Sequence, residues 1–323
     1  MRIAIVFRPP PALKRPEHGI AQALRDAGHD VVADAPTFDP SVEAVLIPNQ
    51  PMYYREALAQ LRRLGPRRPR VVSWMSEPLV PPLASGLPWP RRTHRDWIKL
   101  ALRDRRVIDA RSNERGVLRL LADGVIDAVA TTTAGRAERF AEVGVDAAWV
   151  PLPVERHTYA DLGLERDIPV LFLGAMTVPR RRLIARRLKR AGVDLTAVGD
   201  WKDQRFWGEE RTRLLNRAVI TLNLNRFPGN FPDVRFNLGA ANRSMIVSEP
   251  VHRPDPYVAG ETHVEAETGD LPEVLAQWLA DDAGRERLVS AAYETATKRL
   301  DRGRSAATLA ALLAGDPVPA QAL

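Results

Sequence analysis

Residues 218–250, AVITLNLNRFPGNFPDVRFNLGAANRSMIVSEP, constrain the chain more than any other stretch. Val219 to Leu222 is a short β-branched and apolar run, of the kind that fills a strand buried on both faces. Asn223, Asn225, Arg226, Gly229, Asn230 and Asp233 then form a loop too polar for a core. Val234 to Ala241 has the composition of a short helix closed by Asn242, and Met245 to Val247 is the next buried strand. A strand, helix, strand order of this kind predicts a right-handed crossover in a parallel sheet. In such sheets ligands bind outside the carboxyl ends of the strands, where helix N-termini offer unpaired N–H groups to anions. Asn223, at the end of the first strand, and Arg235 and Asn237, at the helix start, are therefore candidate ligand contacts.

The same segment resembles the signature region of GT-B glycosyltransferases, in particular the group-1-like and spore-maturation-protein branches. Arg235, Phe236, Gly239 to Ala241 and Met245 to Ser248 follow the pattern of Arg, Phe, Glu, small residues, Gly and an apolar strand. Two positions depart from it. Asn237 stands where the family has a Glu that holds the ribose of a sugar nucleotide, and Asn242 stands where Gly ends the helix. An amide still hydrogen-bonds a hydroxyl, and Asn is the second choice after Gly for a left-handed cap.

A chain of 323 residues with 45% hydrophobic content has material for two domain cores. No apolar run reaches the ~18 residues that span a bilayer, and the apolar residues after Met1 form a short strand, so the expected location is cytoplasmic. With no cysteine, disulfides and thiolate catalysis are excluded, and the six histidines show no metal-ligand spacing. The net charge of +7 points to an acidic partner: a phosphate-bearing substrate, an anionic surface or nucleic acid. No nucleic-acid-binding motif accompanies that charge, which makes nucleic acid the weakest of the three.

In the first half, Arg2 to Phe7, Asp30 to Ala33, Val42 to Ile47 and Val71 to Trp74 read as strands, with Val107 to Asp109, Ile126 to Ala130 and Ala148 to Pro153 completing the set. The first loop lacks the glycine fingerprint of dinucleotide binders. The run HGIAQALRDAGHDVV resembles the first helix and second strand of GT-B enzymes, which makes His18 either an acceptor contact or a helix cap. SWMSEP resembles a spore-maturation-branch motif, and Glu77 within it is either a general base toward an acceptor hydroxyl or a turn cap before Pro78. Thr93 to Arg105 is a basic helix whose Trp97 is expected to pack inward.

In the second half, Pro169 to Leu173 opens a new sheet, ends in Gly174 and leads through a loop to a helix beginning at Arg180. The geometry suits a diphosphate, with Arg180 preferred to Arg181 because it lies nearest the loop; the alternative is an arginine-rich surface. Gly199, Asp200 and Trp201 follow the strand Asp194 to Val198 at the sheet edge, where Trp201 either stacks a base or covers the core.

The expected architecture is α/β: two Rossmann-like doubly wound domains facing across a cleft. They comprise an acceptor domain over 1–154, a donor domain over 155–315 and a frayed tail over 316–323. The resemblance implies transfer of a sugar from a nucleoside-diphosphate sugar to a glycan, protein or small-molecule acceptor, without a metal or other cofactor, since no Asp-x-Asp pair is present. A GT-B-shaped scaffold that binds nucleotide without turnover and a nucleotide-sugar epimerase are the alternatives.

Overall fold

Short buried strands alternate with amphipathic helices along the whole chain, and each strand pairs in parallel with its neighbours. The computed structural model describes residues 1–6, 16–89, 94–102, 110–156, 158–199, 206 and 208–318. The chain divides into two units, Met1–Pro151 with the segment from Arg302 onward, and Leu152–Asp301.

The first unit carries β1 (Arg2–Val6), β2 (Asp30–Ala35), β3 (Ala44–Pro48), β4 (Arg70–Met75), β5 (Ala128–Thr131) and β6 (Ala147–Trp149), in the order β2-β1-β3-β4-β5-β6. Its helices are α1 (Pro16–Asp26), α2 (Arg55–Leu64), α3 (His94–Ala101), α4 (Ala110–Ala122) and α5 (Ala134–Glu142). Residues of β3 and β4 such as Val45, Ile47, Val71 and Met75 meet Leu58 and Leu61 of α2, Val117 and Leu120 of α4 and Phe140 of α5 in one core. An all-parallel sheet needs both faces covered, which explains why β3 is buried along its entire length. Arg139 of α5 donates to both carboxylate oxygens of Glu114 on α4 at 2.9 and 2.7 Å, clamping two helices through a buried ion pair.

Two expectations for this unit change. The helix α3 contributes nothing to that core among the described residues, and Trp97 is 56% exposed. The predicted strand Val107 to Asp109 lies outside the described residues.

The second unit carries β7 (Ile168–Leu173), β8 (Leu195–Val198), β9 (Ala218–Asn223), β10 (Met245–Ser248) and β11 (Val264–Glu265), in the order β11-β10-β9-β7-β8. The helices α6 (Pro179–Arg190), α7 (Glu209–Arg217), α8 (Asp233–Ala241), α9 (Leu271–Ala280) and α10 (Asp282–Glu294) complete it. The strand, helix, strand unit expected over 218–250 is present as β9, α8 and β10, with Met245 level with Ile220 and Ser248 level with Asn223. Both strands therefore end at one edge of the sheet.

The last helix, α11 (Arg302–Ala314), leaves this unit and packs on α1 and β4 of the first. Its Leu309 and Leu313 are buried, and the Leu312 carbonyl accepts from Arg70 Nε at 2.8 Å. The domain expected over 155–315 thus loses its final helix, because an Ala- and Leu-rich stripe finds its apolar partner on the first unit. Of the expected frayed tail, Asp316 N–H still closes on Ala311 O at 2.9 Å, and 319–323 lie outside the described residues.

Candidate functional site

The carboxyl edge of the second sheet gathers five of the predicted residues. Arg235, in the first turn of α8, donates from Nε to Leu173 O at 3.0 Å and from Nη1 to Asn223 Oδ1. Asn223 is fully buried at the end of β9, and its amide nitrogen donates to Asn225 Oδ1 at 2.9 Å and Ser248 Oγ at 2.7 Å. This holds its oxygen toward the guanidinium, so Asn223 orients Arg235. The guanidinium lies over the Phe172 ring, 5.2 Å from its centroid.

Arg181 of α6 approaches the same ring at 5.4 Å. It donates to Leu224 O at 2.9 Å and Ala175 O at 3.4 Å. Two cations thus share one aromatic ring, and among the described residues the oxygens that accept their hydrogen bonds are neutral. Burial pushes Arg235 down to about 9 and Arg181 down to about 10; repulsion from Arg181 adds to the first, and from Arg226 and Arg180 to the second. Both remain charged at neutral pH, so the edge holds a concentrated, poorly hydrated positive charge. Such an edge attracts an anion.

Arg180 is placed differently. It forms a two-pronged pair with the buried Glu249 carboxylate, Nη1 to Oε2 at 2.9 Å and Nη2 to Oε1. Glu249 Oε2 also accepts Asn225 N–H at 2.6 Å, while Asn225 Nδ2 is enclosed with no hydrogen-bond partner. Arg180, the residue nearest the loop, is thus paired with a carboxylate arriving from the end of β10, while its neighbour Arg181 makes no direct ion pair among the described residues.

Gly174 and Gly199 keep their expected positions where β7 and β8 end. Gly174 N–H donates to Val198 O at 2.9 Å, and a Cβ on Gly199 would come within 3.1 Å of Gly174 N. A Cβ on Gly174 would meet Arg235 Nη2 at 3.1 Å, so the glycine makes room for the guanidinium. Asp200 and Trp201 lie outside the described residues.

Asn237 does not sit with these groups. It is 6% exposed, Nδ2 donates to Leu152 O at 2.8 Å, and Oδ1 accepts from the Tyr257 hydroxyl at 2.8 Å. One helical residue past Phe236, it lies beside the core formed by Phe231, Phe236 and Tyr257, and both ends of its amide, where a ribose contact was expected, are engaged by protein groups. Asn242 is not left-handed either: it has φ −101°, and Arg243 takes φ 51°. The Asn242 amide instead caps α8 from the side, donating to Leu238 O at 2.7 Å and accepting from Asn216 Nδ2 at 2.8 Å.

In the first unit Glu77 follows β4, and Asn49, which follows the neighbouring β3, donates from Nδ2 to Glu77 Oε1 at 3.4 Å. Asn49 adopts φ 67°, in the left-handed region that Asn tolerates better than most residues, and its N–H donates to Trp74 O at 2.6 Å. Beside it, Gln50 donates to Asn113 Oδ1 at 2.8 Å and Asn113 donates to Pro78 O at 2.9 Å, which fixes the turn carrying Glu77. His18 is half-buried in the first turn of α1. Sequence reading ranked Arg181 below Arg180 and did not single out Glu249 or Asn49; a carboxylate directly after β10 was the available signal for Glu249.

A family model described as Glycosyl transferase-like matches residues 180–311, and this match does not extend to the spore-maturation branch. No curated protein sequence matches the chain. Among solved structures, HepE (Alr3699) of Anabaena in complex with UDP-glucose superposes with a TM-score of 0.66 at 11% identity, covering 98% of this chain and all of that one. AviGT4, a glycosyltransferase involved in avilamycin A biosynthesis, superposes with a TM-score of 0.54 at 16% identity over 98% of each chain. The T4 phage β-glucosyltransferase gives 0.57 at 9% identity over 97% of this chain and 99% of its own. The chain thus carries a Glycosyl transferase-like segment over most of its second unit and shares the fold of these structures over nearly its whole length.

Proposed function

We propose that the protein transfers a sugar from a nucleoside-diphosphate sugar to a hydroxyl acceptor. The observation that carries this reading is the pair of guanidiniums, Arg181 and Arg235, over Phe172 at the edge where β7 and β9 end. A diphosphate there relieves their mutual repulsion and accepts charge-assisted hydrogen bonds. HepE has been solved in complex with UDP-glucose and with UDP and glucose, which supports a uridine nucleotide as the first donor to test.

In the reaction the bond between the anomeric carbon and the diphosphate oxygen breaks, and a bond from the acceptor oxygen to that carbon forms. The acceptor proton passes to Glu77, whose carboxylate is oriented by Asn49. The negative charge that develops on the leaving diphosphate is met by Arg181, Arg235 and the start of α6, in the role that preorganised cations play in many transferases. In this scheme the guanidiniums supply the positive charge and a divalent ion is not needed; undiminished turnover in the presence of EDTA is the expected result. Transfer and hydrolysis assays with a panel of UDP- and other nucleoside-diphosphate sugars, with products of candidate acceptors followed by mass spectrometry, test the reading. Tight nucleotide binding without turnover of any donor overturns it in favour of a scaffold.

A further inference from the structure

The helix α3 shows apolar side chains to solvent. Trp97 is 56% exposed, Ile98 59% and Leu102 75%, and Ala101 is exposed as well. Leu102 N–H still closes on Ile98 O at 2.9 Å, so the helical turn continues to that residue. Positions 97, 98, 101 and 102 are one and four residues apart and fall on one side of a helix. The side facing solvent is thus a continuous apolar stripe.

The charge around this stripe is just as uneven. Residues 91–106, RRTHRDWIKLALRDRR, hold seven Arg and Lys against two Asp, a net +5 out of the chain's +7. A Trp- and Leu-bearing apolar stripe set in a strongly basic segment is the composition of helices that lie in the plane of a membrane interface. There the apolar side chains enter the acyl boundary and the cations meet anionic headgroups.

We propose that α3 docks the first unit on an anionic lipid surface. A second copy of the chain is a poor occupant, because stripe-to-stripe contact would bring two segments of like charge together. Nucleic acid would satisfy the charge and leave Ile98 and Leu102 in water. A bilayer satisfies both. No helix among the described residues is long and apolar enough to cross a membrane, so attachment of this kind is peripheral.

Flotation of the purified chain with vesicles tests this. With about one-third phosphatidylglycerol in phosphatidylcholine, the bound fraction is expected to exceed that on pure phosphatidylcholine by roughly tenfold, and to fall steeply at high salt. The Trp97→Ser, Leu102→Ser variant is expected to lose about tenfold in binding while keeping the parental far-ultraviolet circular dichroism and cooperative melting of the whole chain, which report that both units are folded. Trp97→Phe retains binding and removes the blue shift of tryptophan emission on vesicle addition, locating the contact. Equal binding by the double variant, equal binding to neutral vesicles, or concentration-dependent self-association abolished by the double substitution overturns the proposal.

Discussion

Replacing Arg235 by Met removes a cation while keeping the length of the side chain over Phe172, and its effects on stability and on binding should run in opposite directions. In the free protein burial holds the guanidinium down to about 9, well below the ordinary arginine range. At ~1.4 kcal/mol per pKa unit this is a cost of a few kcal/mol for keeping the charge there. The substitution removes that cost and the repulsion from Arg181. It also leaves Leu173 O and Asn223 Oδ1 without their donor, a loss of about 1–3 kcal/mol. The two nearly cancel, so Tm should stay close to the parent value or rise. Binding of UDP loses a charge-assisted hydrogen bond worth about 1.5–3 kcal/mol, which raises Kd roughly 10- to 150-fold. Titration calorimetry with UDP and thermal melts without it measure the two halves. Arg181→Met should follow the same pattern. Arg180→Met should lose stability instead, since it strands the Glu249 carboxylate in a buried position. A folded Arg235→Met protein with parental UDP affinity refutes the assignment of the diphosphate to this pair.

Glu77→Gln is expected to lower kcat by about 10²- to 10⁴-fold while UDP affinity, measured by calorimetry, stays at the parent value. Asn237→Glu, which installs the Glu of the pattern the segment resembles, should cost about 2–5 kcal/mol in urea unfolding, because it sets a carboxylate against Leu152 O in a buried site. For Asp127, desolvation raises its pKa, and the Arg68 pair at 2.6 and 2.7 Å together with the Val71 N–H at 2.7 Å outweigh it, leaving the net value lowered. Stability from that carboxylate is therefore present above about pH 4, the unfolded value, and is lost as pH falls below it. Asp127→Asn should flatten that limb of a Tm-against-pH curve.

The parallel sheets were legible because their strands are apolar runs buried on both faces, and each expected strand within the described residues is found to within a few residues. The positions of Gly174, Asn223 and Arg235 followed from the same logic, since a strand end and a helix start define an edge. What the chain order hid were the partners. Arg180 and Arg181 look equivalent in PRRRL, and only Glu249, 69 residues further on, separates them. Asn237 looks like a weakened ribose ligand until the Tyr257 hydroxyl, 20 residues away, is found to bind it. Amphipathicity located a face on α3 without saying which way it turns.

The return of α11 makes the first unit discontinuous in sequence, with the whole of Leu152–Asp301 spliced between its β6 and its last helix. During synthesis the second unit is complete and free to fold while the first still lacks the residues that cover part of its surface beside α1 and β4. A chain stopped at Pro151 would leave the apolar seat of Leu309 and Leu313 open to water, whereas a fragment spanning Leu152–Asp301 contains every strand of its sheet. Order of emergence thus makes the amino-terminal unit the last to be finished, and loss of a few carboxyl-terminal turns would be felt there and not in the unit that precedes them.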